Sequence, residues 1–312
     1  MTRTIPLVLM ALVNGTALAA QDTDSAKTGA NQVLFESEDP LTLTIEAPLE
    51  TIFKEREQES SYHPGAMILE NADGSRSSLD IEVKTRGKFR LNRRNCGRTY
   101  NLLTDMSFRV RLARINYVDT DEDRDPITKY AFFIEDDELM AARNGWDLLQ
   151  VPVVPPVAYK QDQLNLAEVF QFLAGNTDWD AFKGPPDEID CCHNVKVIGN
   201  PQGPVFPVPY DFDWTGMVSA RYAKPDPSLS IRTVRQRLYR GVCLVRDQLS
   251  STIPAFEQQK EAIYGLYQNQ EGLEEKQIER SVDYLDDFYE IVGDPKKVER
   301  NMYDRCRGFG TS

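Results

Sequence analysis

Between Phe170 and Gly216 the chain reads FQFLAGNTDWDAFKGPPDEIDCCHNVKVIGNPQGPVFPVPYDFDWTG and carries oxygen-bearing side chains in an order suited to magnesium-assisted phosphoryl transfer. Asp178 follows Asn176 just after the helical run Leu164, Leu166, Val169, Phe170, Leu173, which puts its carboxylate on the loop leaving a helix. A carboxylate there can orient a hydroxyl nucleophile or take its proton. Asn194 precedes the alternation Val195, Val197, the pattern of a short strand. Its amide oxygen is a hard ligand of the kind magnesium accepts. Asp211 and Asp213 lie in the turn after a second apolar segment, with Gly216 close behind, and two hard anions suit another corner of a metal-phosphate site. The competing reading is structural: Asp and Asn after a helix also cap and form turns, and D-F-D-W-T-G can be a hairpin turn.

N-x-D, then a strand opened by Asn, then PYDFD-x-x-G resembles the catalytic segment of the CotH-like secreted kinases and, more loosely, of HipA-like kinases, both atypical members of the protein-kinase fold. The resemblance implies that Asp178 is the catalytic-loop aspartate, Asn194 the metal-binding asparagine and Asp211 the metal-binding aspartate of the activation segment, with Asp213 as rival for the last role. It implies ATP and magnesium as cofactors and a hydroxyl on a protein or small molecule as acceptor. The gap WDAFKGPPDEIDCCH between Asp178 and Asn194 is longer than the family's, so Asp180, Asp187 and Asp190 compete for the place of Asp178. V-K-T-R-G at residues 83–87 resembles the family's N-terminal lobe and implies that Lys84 and Arg86 hold nucleotide phosphates; solvated surface cations are the alternative. After it, KFRLNRRNCGRTYNLLT passes quickly to what reads as a helix end, without the lysine-bearing apolar segment and most of the helix that the family places there. An inactive, pseudokinase-like binding or envelope-assembly protein is therefore the second expectation, since a fold is shared by active and dead members.

The elements that must position these residues divide the chain. LTLTIEA alternates strictly, and GAMILENADGSRSSLDIEVKTRG reads as two strands about the Asp73-Gly74 turn, with Leu79, Ile81 and Val83 facing one way. Phe108 to Val118 and Lys129 to Glu135 read as further strands, and Glu135 to Asn144 as a short helix stopped by Gly145. Asp119, Asp121, Asp123 and Asp125 are spaced like a calcium loop, but Arg124 and Tyr130 replace the glycine and final acid it needs, so a solvated connection is expected. VPVVPPVAY marks the passage to a helical half. There Ile231, Val234 and Leu238 predict a helix, Pro254 to Tyr267 a second with Pro at its head, and Leu273 to Ile291 a third with Ile278, Val282, Leu285, Phe288 and Tyr289 as its core stripe. The cluster Arg232, Arg235, Arg237, Arg240 can hold an acidic group, although pairing with carboxylates is expected.

The expected architecture is α+β and kinase-like bilobal: signal peptide 1–19, flexible leader 20–40, β-rich N-terminal lobe 41–150 and mainly helical C-terminal lobe 151–312 with the catalytic segment 170–216. Arg3, the apolar run Ile5 to Val13 and Ala17-Leu18-Ala19 read as a secretory signal, which predicts an exported, periplasmic or extracellular protein. No later stretch has the length of a membrane span. A net charge of −13 argues against a nucleic-acid partner. Five cysteines in an exported chain predict one or two disulfides. Neighbours rarely bond each other, so Cys191 or Cys192 is expected to pair with Cys243, Cys306 or Cys96. With only two histidines, a zinc or thiol-hydrolase site at Cys191-Cys192-His193 is disfavoured.

Overall fold

The computed structural model describes residues 34–55, 61–70, 74–84, 91–121, 124–185 and 190–308. The expected signal peptide, much of the leader, Asp73, Arg86, Asp123 and Asp187 lie outside these. The fold is mixed α and β, and the chain forms two compact units: the described part of Met1–Leu91 with Val110–Ile134, and Asn92–Arg109 with Glu135–Ser312.

The first unit is a five-stranded sheet in the order β3-β2-β1-β4-β5, built from β1 (Leu41–Ala47), β2 (His63–Glu70), β3 (Arg76–Val83), β4 (Val110–Asp119) and β5 (Ile127–Ile134). β1 runs parallel to β4, with Leu43 opposite Ile115, and the other pairs are antiparallel. The period-2 alternation of β1 sends Leu43, Ile45 and Ala47 to one buried face. There they meet Ile81, Val83, Ala113, Ile115 and Tyr117, and Leu49 and Ile52 of the short helix α1 (Leu49–Lys54) close the cluster. Leu79 departs from expectation. It is 43% exposed, because β3 is the sheet's edge strand and the apolar cluster covers only its Ile81 and Val83 end.

The acidic connection after β4 is exposed at Asp121, Arg124 and Asp125, as expected, but the aspartate that closes β4 is not. Asp119 is buried and accepts hydrogen bonds from the amides of Leu49 and Glu50, at 2.7 and 3.2 Å, so it caps α1 from 70 residues away. Asp121 accepts from Thr51, and Arg124 pairs with Glu50.

The second unit is organised on the helix α4 (Gln161–Ala174), whose residues from Leu164 to Ala174 are all buried. It follows α2 (Leu91–Asn101), α3 (Asp137–Arg143), the strand β6 (Asp147–Leu148) and a 3-10 turn at Pro156–Ala158. α3 is capped by Asp136 and ends before Gly145 at φ +74°, as the sequence predicts. β6, β7 (Val195–Gly199) and β8 (Val205–Pro209) form an antiparallel sheet, and α5 (Leu249–Gln258), α6 (Lys260–Gln268), α7 (Glu275–Val292) and α8 (Pro295–Val298) follow. The core around α4 contains Tyr100, Phe170, Phe172, Phe212, Phe256, Tyr284 and Phe288. Among the described residues no helix is long and apolar enough to cross a membrane.

Four helical expectations change. Residues 229–242 are an irregular run of turns and bends rather than a helix, and Arg237 and Arg240 there spend their donors on backbone carbonyls far away in sequence. Pro254 stands in the second turn of α5, and α6 is a separate helix. The buried stripe of α7 is Ser281, Tyr284, Leu285, Phe288, Tyr289 and Val292, with Ile278 and Val282 at its margin. RTYNLLT ends a helix of 11 residues that begins at Leu91.

The cysteine pairing differs as well. Cys243 bonds Cys306, and Cys191 bonds its neighbour Cys192, leaving Cys96 as a buried free thiol. With both sulfurs of the Cys-Cys-His run in a disulfide, no thiolate is left there for zinc or hydrolysis.

Candidate active site

The end of α4 sets the site. Gly175 closes the helix in the left-handed region at φ +66°, its amide returning to the carbonyls of Gln171 and Phe172. The next residues form an Asx turn: Asn176 Oδ1 accepts from the amide of Asp178 at 2.9 Å, while Trp179 drops its indole into the core and donates to the Asn176 carbonyl. Asp178 is thereby turned outward on a loop fixed at both ends.

The long gap to Asn194 proves to be a closed excursion. Asp180 and His193 exchange both backbone hydrogen bonds, at 2.9 and 3.0 Å, so the chain returns to the point it left. Asn194 then donates from Nδ2 to the Asp178 backbone carbonyl at 2.7 Å and to its Oδ2 at 3.0 Å. His193 Nε2 lies 3.0 Å from Asp178 Oδ1. Asn194 itself sits at φ +55°, a region that Asn tolerates better than most residues. Of the competitors for the place of Asp178, Asp180 uses its carboxylate to cap the turn at Phe182 and Lys183, and Asp190 is exposed.

The same hairpin delivers the two aspartates. β7 and β8 pair from Val195 opposite Pro209 to Gly199 opposite Val205, and beyond this register the amide of Tyr210 bonds the carbonyl of Asn194 at 3.1 Å. Asp211, one residue on, therefore lies at the same end of the hairpin as Asn194. Asp211 is left-handed at φ +50°, and Phe212 is buried edge-on to Phe170 at 5.5 Å, which turns the flanking carboxylates away from the core. The segment is then tied back to α4: Gly216 donates to the Gly175 carbonyl at 3.0 Å and Met217 to the Ala174 carbonyl at 3.1 Å. These are carbonyls the helix cannot satisfy internally. One helix end thus fixes both the Asp178 loop and the Asp211 to Asp213 turn. The approach is possible only because 175 and 216 are glycines; a Cβ at either would stand about 2 Å from the Tyr284 hydroxyl, at 1.8 and 2.1 Å respectively.

Electrostatically the aspartate corner is crowded. Burial, and then the charge of Asp211, push the Asp213 carboxyl above the usual carboxylate range. Tyr222 donates its hydroxyl to Asp213 Oδ2 at 2.7 Å, and Arg93 of α2 places Nη2 2.7 Å from Asp211 Oδ1. Among the described residues no group of three or more His, Cys, Asp and Glu side chains is gathered for a metal, so a cation here would rely on the two carboxylates and the Asn194 amide oxygen.

The sequence-predicted residues divide accordingly. Asp178 and Asn194 are in direct contact, Asp211 and Asp213 flank Phe212 closely enough for the charge of one to act on the other, and the Tyr210–Asn194 bond links the two sets. Lys84 belongs to the first unit, where its ammonium lies 4.3 Å from the centre of the Tyr62 ring, and Arg86 is outside the described residues. The arginine cluster after Gly216 pairs mainly with backbone. Arg240 donates to the carbonyls of Thr177 and Trp179, bracketing Asp178, and Arg237 donates to those of Phe172, Leu173 and Tyr284. Arg237 also covers the Tyr284 ring at 3.6 Å. Sequence reasoning missed Arg93, Tyr222 and the Asp178 contact of His193. Only the last had a signal, the adjacency of His193 to Asn194.

Compared with protein-family models and with curated proteins, the sequence matches no family and no curated relative.

Proposed function

We propose that this is an exported protein of kinase-like, CotH-like bilobal architecture, whose site transfers the γ-phosphoryl group of ATP to a hydroxyl on a protein or small molecule. The observation that carries the reading is the bidentate hold of Asn194 on Asp178, with the Asn194 carbonyl bonded to Tyr210 next to Asp211. Asp178 orients the acceptor hydroxyl and receives its proton. Asn194, its Nδ2 committed to Asp178, offers Oδ1 to magnesium alongside Asp211 and Asp213. The donor set is of the kind such an ion takes, hard oxygens only, two of them carboxylates on either side of Phe212. Magnesium would neutralise charge on the transferring phosphoryl group. Two disulfides and the absence of a membrane-crossing helix among the described residues are compatible with export.

The second reading, a pseudokinase-like binding or envelope-assembly protein, draws support from the guanidinium already placed on Asp211. Calorimetry with ATP and magnesium separates the two. Binding followed by autophosphorylation that disappears in Asp211→Ala supports transfer, and absence of binding removes it.

A further inference from the structure

We infer that Arg93 is the resident counter-cation of the Asp211 and Asp213 pair, and that a divalent ion reaches these carboxylates only in competition with its guanidinium. The inference rests on the reading of that pair as cation ligands and adds to it how access is controlled.

Arg93 Nη2 is 2.7 Å from Asp211 Oδ1, and the two side chains are 18% and 25% exposed, so the pair is largely shielded from solvent. Its origin in the helix matters. α2 opens at Leu91, has no acidic residue in its first turn, and carries Arg93 and Arg94 there. Helix amides already make that end positive, so cations in the first turn are unfavourable unless an anion meets them. Arg94 is turned elsewhere, donating from Nη1 to Gln270 Oε1 at 2.7 Å. Arg93 is thus the cation of that turn that meets the aspartates.

The turn is also tethered. Asn92 Nδ2 donates to the Met217 carbonyl at 3.4 Å and to Ser281 Oγ at 3.1 Å, holding the start of α2 against the segment that follows Asp213. One guanidinium faces two carboxylates, which leaves the pair one positive charge short of full compensation. A divalent ion would supply the missing charge. Guanidinium and metal on the same carboxylate repel each other, so entry of one weakens the hold of the other.

Manganese(II), titrated alone into the mature full-length chain at low ionic strength and followed by paramagnetic resonance of the free ion, tests this. Arg93→Ala and Arg93→Gln should each bind it at least about tenfold more tightly than the parent. The gain should vanish when either is combined with Asp211→Asn. Unchanged or weaker binding in both variants, or a gain that survives Asp211→Asn, overturns the inference. Arg93→Gln decides alone if Arg93→Ala fails to fold. The outcomes also separate this inference from phosphotransfer. A tighter manganese site in a protein that never binds ATP keeps the role of Arg93 and removes transfer, whereas ATP-dependent transfer with unaltered manganese affinity does the reverse.

Discussion

Asn194 grips Asp178 twice, once through the backbone carbonyl and once through the carboxylate, although 15 residues separate them. Two physical demands meet at Asn194, a donor toward Asp178 and a backbone at φ +55°. Asn194→Gly loses the donor but suits the backbone, while Asn194→Ala loses the donor and adds left-handed strain of about 1–2 kcal/mol. Urea denaturation should therefore rank stability as wild type, then Gly, then Ala. Equal midpoints for Gly and Ala would mean that the backbone at 194 is not constrained.

Arg240 brackets Asp178 by donating to the carbonyls on either side of it, and is itself half-buried. Arg240→Met keeps much of the apolar stem and removes both hydrogen bonds, a loss on the order of 1–3 kcal/mol. Hydrogen exchange should accelerate at residues 176–180 and stay unchanged in α7. Uniform acceleration across the second unit would assign Arg240 to global stability rather than to holding this loop.

Glu168 of α4 is fully buried, accepting from the Val242 amide at 2.9 Å and from the Tyr239 hydroxyl at 3.4 Å. Burial pushes its carboxyl up to about 8. The folded state thus binds the proton more tightly than the unfolded chain, and the stability linked to it is full below about pH 4.5 and is lost as pH rises through about 8. Glu168→Gln removes this slope, so the variant should gain on the wild type between those limits, by at most about 1.4 kcal/mol per pH unit. Parallel stability curves would show that Glu168 is ionised in the fold.

The thiols can be counted directly. Burial pushes the Cys96 thiol up to about 12, so the native chain should not react with a thiol reagent at neutral pH. Unfolding without reductant should release one reactive thiol, and unfolding with reductant five. Three thiols in the first condition would mean that Cys191 and Cys192 are not bonded.

Strands with strict alternation, such as LTLTIEA, and the helix around Phe170 were legible in the sequence because each buries one repeating face. The segment at residues 229–242 was not. Its apolar spacing matches a helix, yet arginine donors to distant carbonyls outweigh local propensity, and no periodicity reports such partners. Asp119 was misread for a similar reason: an acidic run gives no sign that one member caps a helix 70 residues away. At the candidate site the residue types along the chain point to Asp178, Asn194, Asp211 and Asp213. What closes the gap between the first two is a backbone bridge at Asp180 and His193, and what sits on the third is Arg93, from a helix 118 residues earlier in the chain.

The parallel pairing of β1 with β4 constrains how the chain can be cut or made. Leu41 must wait for Ala113 to emerge during synthesis, and the stretch between them includes α2, most of which belongs to the other unit. Neither unit is a single uninterrupted piece of polypeptide, so a truncation ending between residues 91 and 134 strips the central strand β1 of part or all of its partner β4 or the edge strand β5. Expression screens that hunt for a minimal fragment should find none on that interval, and soluble shorter products should begin or end outside it.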